Sequence, residues 1–152
     1  QPDQNILIEP ANAVETLVED IVDAAKSIFI AAPYVSAACL AKLGDAIKGA
    51  AARGIALEIY LASTPREDAK ETLAEMNVEY AIRAEGRLCA VVIDEETVWY
   101  GTIPLLAFPK NEDCSIRFKN SEIAAELLDE VSYKGKPDAA STDGTSPSLA
   151  VK

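Results

Sequence analysis

The sequence predicts an α/β domain, a mixed β-sheet with helices on both faces. Three observations predict it. The chain has 152 residues and is 49% hydrophobic, enough for one domain to bury a core without disulfides or a metal. Its first half alternates short apolar runs with amphipathic stretches, a βαβα order that demands parallel strands joined by helical crossovers. Its second half places two apolar runs either side of Asp94-Glu95-Glu96, the mark of an antiparallel hairpin.

The elements follow in order. Asn5 to Ile8 is a short apolar run, and Asn12 with Glu15 has the spacing of a helix cap and its reciprocal partner. Val14, Leu17, Val18, Ile21, Val22 and Ala25 then form one apolar stripe. Ser27 to Ala32 reads as a buried strand ended by Pro33. A second helix spans about Ser36 to Ala52, burying Leu40, Leu43 and Ile47, and Arg53-Gly54 stops it. Ile55 to Leu61 is the next strand.

Thr64-Pro65-Arg66-Glu67 combines a capping box with proline at the first helical position. That helix ends near Met76-Asn77, and Val78 to Ile82 is a strand. Leu88 to Ile93 and Thr97 to Tyr100 form the hairpin, in which Trp99 and Tyr100 face opposite sides. Ser115 to Phe118 is the last strand. Asn120 caps a final helix carrying Ile123, Leu127 and Val131. From Lys134 the composition turns to Gly, Pro, Ser, Thr and Asp, too poor in apolar area to offset its ordering entropy. The chain therefore divides into a domain over 1–133 and a disordered tail or linker over 134–152. Because it begins Gln1-Pro2-Asp3 without methionine, it is expected to be a piece of something longer.

Composition excludes several functions. Lysine and arginine total 14 against 25 acids, a net charge of −11. Residues 1–133 hold 11 basic and 23 acidic residues, or −12, so a basic nucleic-acid-binding face is not the dominant feature. No apolar run approaches the roughly 20 residues of a membrane helix. There is no histidine, which removes serine–histidine and cysteine–histidine catalysis and most zinc sites. Cys39, Cys89 and Cys114 have no metal or redox spacing and sit in apolar or strand-like segments. They read as buried small hydrophobes, a usage that suits the cytoplasm. No cofactor and no metal is called for.

The informative stretch is Arg87 to Arg117, RLCAVVIDEETVWYGTIPLLAFPKNEDCSIR. It resembles the phospholipase D superfamily, whose half-site is H-x-K-x4-D followed by G-S-x-N. In that pattern Arg87 stands at the histidine, Cys89 at the lysine and Asp94 at the aspartate. Gly101, Thr102 and Pro104 stand at the glycine, serine and asparagine. The helix–AAKSIFIAAPYVS–helix–RGIALEIYLAS order extends the resemblance over roughly residues 5 to 132. The wording is most similar to phospholipase D-like domains attached to bacterial helicases.

The resemblance implies a histidine that attacks phosphorus, a second that protonates the leaving group, and lysine and asparagine holding phosphoryl oxygens. Arg87 has no lone pair to give, because guanidinium stays protonated. Cys89 is neutral where a fixed cation should meet phosphate. Pro104 has no donor at all. The half-site is degenerate, its pocket marked by Arg87, Cys89, Asp94, Gly101, Thr102, Pro104 and Glu112. Glu112 and Asp113 stand where a carboxylate would support the family's histidine.

Each residue has a plainer reading. Asp94 suits local hydrogen bonding in a turn, and Gly101 a bend or positive φ. Arg87 and Arg117 are candidate phosphate-binding residues; as strand-edge arginines, Arg87 pairs with Glu85 or Asp94, and Arg117 with Glu112 or Asp113. Glu19-Asp20 and Glu126, Asp129 and Glu130 read as solvated helix faces.

The expected function is a non-catalytic accessory or interaction domain of a larger DNA- or RNA-processing protein such as a helicase. Its partners would be the rest of that protein or a second copy, since active members of the family join two half-sites. Pairing would use the face near Arg87, Asp94 and Gly101, with nucleic acid contacted only indirectly and no membrane. The alternative is a phosphodiesterase or nuclease whose Asp94, Glu95, Glu112 and Asp113 hold a divalent metal. A purely structural module sharing the fold is the third reading.

Overall fold

A computed structural model describes residues 6–83 and 88–135 of the chain. Seven strands form one mixed sheet in the order β1-β7-β6-β5-β2-β3-β4. They are β1 (Ile6–Ile8), β2 (Ser27–Ala32), β3 (Ala56–Leu61), β4 (Ala81–Ile82), β5 (Cys89–Ile93), β6 (Thr97–Gly101) and β7 (Ser115–Lys119). The helices are α1 (Ala13–Asp23), α2 (Ala37–Ala52), α3 (Glu67–Glu75) and α4 (Ser121–Gly135). β2, β3 and β4 run parallel, and every other pairing is antiparallel. This is the mixed sheet the sequence predicts.

Alternation along the strands divides the core. Ile28, Ile30, Val91, Ile93 and Trp99 meet Leu17 and Ile21 of α1 and Leu40, Leu43 and Ile47 of α2 on one face. Phe29, Ala31, Val92 and Val98 meet Ala124 of α4 on the other. α2 and α3 end in the same device. Gly54 takes φ +83°, and the N–H groups of Gly54 and Ile55 donate to the carbonyls of Ala51 and Ala50. Asn77 takes φ +58°, and the N–H groups of Asn77 and Val78 donate to Ala74 and Leu73. Both are Schellman motifs, with glycine and asparagine at the left-handed position.

Five local expectations are corrected. Asn12 precedes α1, but its side chain turns back to accept the Glu9 N–H at 3.1 Å across the 3-10 turn Pro10–Asn12, rather than pairing with Glu15. α3 starts at Glu67 and not Pro65, because Arg66 is extended (φ −70°, ψ 166°) and the Thr64 capping box does not form. Val78 is spent on the α3 cap, so β4 shrinks to Ala81–Ile82. α4 turns Ala124, Leu127 and Leu128 to the sheet, leaving Ile123 39% exposed. Cys114 is exposed, unlike Cys39 and Cys89. Among the described residues no helix is long and apolar enough to cross a membrane.

Candidate functional site

The positions matched to the half-site fall at the two ends of the hairpin. At one end Cys89 opens β5, Gly101 closes β6 directly opposite, and Ser115 opens β7 beside Gly101. A Cβ on Gly101 would collide with the Cys114 carbonyl oxygen and lie 2.5 Å from Ser115 Cα. Glycine is therefore required by close approach and not by a positive φ, which among the described glycines belongs to Gly54.

Thr102 ties this end together. Its N–H donates to the Cys114 carbonyl at 2.8 Å. Its Oγ1 accepts the Cys114 N–H at 3.1 Å and donates to Asp113 Oδ1 at 3.1 Å. Asp113 Oδ2 accepts the Lys110 N–H at 2.8 Å, while Glu112 is exposed. Pro104 is buried, and its carbonyl accepts the Leu106 N–H at 2.7 Å across a γ-turn in which Leu105 takes φ +71°. The Leu106 carbonyl then accepts the Ser36 N–H at 2.9 Å, seating the loop on the start of α2.

Cys89 is buried on the α1–α2 face. Burial pushes its thiol pKa up, and the negative charge of Asp113 pushes it further. The group is a protonated thiol, neither a cation nor a nucleophilic thiolate. Cys39 is likewise pushed up to about 11 by burial.

Asp94 lies at the opposite end, five strand residues from Cys89, or about 17 Å at the rise of an extended strand. It does not bond within its own turn. Its carboxylate accepts the N–H groups of Ala25, Lys26 and Ser27 at 3.0, 2.6 and 3.1 Å, and its own N–H donates to the Ser27 carbonyl at 2.8 Å. Burial raises its pKa, but the three backbone donors outweigh that and hold it below the ordinary value. Asp94 thus clamps the segment between α1 and β2.

Two consequences follow for the expected sites. Asp94 and Gly101 stand at opposite ends of the β5–β6 hairpin. The four carboxylates of the metal alternative also split, Asp94 and Glu95 at the β5–β6 turn and Glu112 and Asp113 before β7. Among the described residues no group of three or more ligating side chains could hold a metal ion. Arg87 lies outside the described residues.

Arg117 has a partner that sequence reasoning missed. Its Nε and Nη2 donate to Asp20 Oδ2 and Oδ1 at 2.9 and 2.8 Å, and Trp99 Nε1 donates to Asp20 Oδ2 at 2.7 Å. The hydrogen bond to Asp20 raises the Arg117 pKa. Neither Glu112 nor Asp113 fills that role, and Asp20 belongs to the core and not to a solvated face. The available signal was its place between Leu17 and Ile21, inside the apolar stripe. Arg83, also passed over, borders a groove with Ala31, Tyr60, Ala62 and Leu88.

No protein-family model matches the chain, and no curated protein matches it in sequence. Solved structures do match in fold. Nuc, a phospholipase D family member from Salmonella typhimurium, superposes with TM-score 0.70 at 15% identity, over 86% of this chain and 93% of that one. NucT from Helicobacter pylori gives 0.68 at 19% identity, over 86% and 94%. TrmBL2, an archaeal chromatin protein with a novel mode of DNA binding, gives 0.61 at 16% identity, over 88% of this chain and 52% of that one. The chain therefore has the α/β fold of phospholipase D family members. In length it corresponds to nearly the whole of Nuc and of NucT.

Proposed function

We propose that this chain is a non-catalytic phospholipase D-like domain that works by binding, as an accessory part of a larger DNA- or RNA-processing protein such as a helicase in the cytoplasm. The observation that carries the first half is chemical. A chain without histidine has no phosphohistidine route, and the position matched to the family's lysine is a buried, protonated thiol. The loop matched to G-S-x-N supports the same reading. Thr102 spends its hydroxyl on Asp113 and Cys114, and Pro104 spends its carbonyl on a γ-turn. These groups brace strands and leave no donor array for a phosphoryl oxygen.

The fold also occurs over 52% of TrmBL2, an archaeal chromatin protein with a novel mode of DNA binding, so it is found outside enzymes as well. A second copy of the chain is a candidate partner, paired through the face of the degenerate half-site. The accessory role is tested by reading the parent gene on both sides of this segment. A G-x4-G-K-[ST] segment in the same frame makes it an appendage of a helicase or related ATPase. An intact histidine–lysine–aspartate half in that frame would instead make it one lobe of an active phosphodiesterase.

A further inference from the structure

We propose that the open half of the α4 face, over β6, β7 and β1, receives an amphipathic helix with a basic rim from a partner protein. Seven strands about 4.8 Å apart make a sheet roughly 29 Å wide, and a helix is about 10 Å across. Three helices, α1, α2 and α3, pack on one face. Among the described residues only α4 packs on the other, over Phe29, Ala31, Val92 and Val98. That face is short of helices.

The two sides that α4 leaves uncovered differ in chemistry. Beyond β2, Phe29 pairs with Glu58, which is exposed and accepts the Tyr60 hydroxyl at 3.2 Å, so this side suits water. Beyond β6 the surface is apolar. Leu7 pairs with Ile116, and Ile116 with Tyr100, a row across three strands. These side chains are 55%, 42% and 52% exposed. Strand alternation puts Val98 and Phe118 on the same face, so no charged residue of β1, β6 or β7 interrupts it. Strands with one face in water alternate apolar with polar residues, whereas here the outward positions are apolar too, the mark of a covered surface. The row is about 10 Å long, the width of one helix.

Charge selects the occupant. The exposed side of α4 carries Glu122, Glu126 and Asp129, on a chain of net charge −11. A helix laid beside α4 at about 8–10 Å lies within a Debye length of those acids. Lysine or arginine on its rim is attracted and glutamate is repelled. A second copy brings the wrong surface to this face, because stacking would set the acids of each α4 against the apolar row of the other. The inference goes beyond the chemistry of the half-site and stands whether or not the parent protein is a helicase.

The test uses the full chain and, as probe, a peptide of about five helical turns with leucine at i, i+3, i+4 and i+7 and lysine elsewhere. Amide and methyl resonances of the chain report where it lands. One peptide per chain should bind saturably and shift Leu7, Ile116 and Tyr100 most. Leu7→Thr with Ile116→Thr should weaken binding at least about tenfold, and should melt within a few degrees of wild type because both side chains already face water. Val22→Thr, which changes an equally exposed residue of α1, should leave binding unchanged. The same peptide with glutamate in place of lysine should not bind. Shifts centred elsewhere, equal binding of the glutamate peptide, or unchanged affinity in the threonine variant overturns the proposal. So does a dimer of the free chain that protects these three residues, or contact of residues 136–152 with them in the free chain. If the double variant does not fold, Ile116→Thr alone and the wild-type shifts decide.

Discussion

Asp20 on α1 and Arg117 on β7 are joined by two hydrogen bonds, at 2.8 and 2.9 Å, although 97 residues separate them. The same carboxylate takes the indole N–H of the fully buried Trp99 at 2.7 Å. One buried acid therefore fixes the roll of α1 against two neighbouring strands. Removing it leaves a guanidinium and an indole N–H without acceptors. Asp20→Ala is expected to cost about 2–4 kcal/mol, less than a fully buried pair because both side chains keep slight exposure. Arg117→Met should cost less, since Asp20 keeps Trp99 and the replacement fills similar volume. Urea unfolding of both variants measures the difference.

Asp94 makes stability depend on acid. Its folded pKa lies below its ordinary value, so the unfolded chain binds the proton more readily. The contribution is complete above the unfolded pKa of about 4 and is lost as pH falls through the folded value. Asp94→Asn should flatten that part of the stability profile. Asp94→Ala should lose about 1–3 kcal/mol at neutral pH through three unpaired backbone donors. Thermal melts between pH 2 and pH 7, about the range over which carboxylates titrate, check both.

Gly101 is held by backbone contact. An alanine there must push β6 away from Cys114 and Ser115, and backbone yields less readily than a flexible side chain. Gly101→Ala is expected to cost about 1–3 kcal/mol or more. Hydrogen exchange should show the loss first in the β6–β7 pairs beside Ser115.

Much of this fold was legible because it is written in short-range pattern. The SIFIAA run is β2 as read, and Arg53-Gly54 stops α2 through a Schellman motif that needs a left-handed residue. Thr64 shows the limit of local pattern. The capping-box letters are present, yet the extended backbone of Arg66 delays the helix to Glu67. The sites were less legible because their partners are remote in sequence. Nothing near Asp94 points to Ala25, Lys26 and Ser27, and nothing near Arg117 points to Asp20. The family resemblance grouped Asp94 with Gly101, and the length of β5 and β6 sets them at opposite ends of the hairpin.

The central claim is that this domain does not cleave phosphodiesters, and hydrolysis of a generic diester by the purified chain tests it most directly. The rate should equal that of buffer, with or without added magnesium, manganese or a chelator. Turnover that exceeds buffer and disappears in Asp94→Ala or Cys89→Ala would contradict the account.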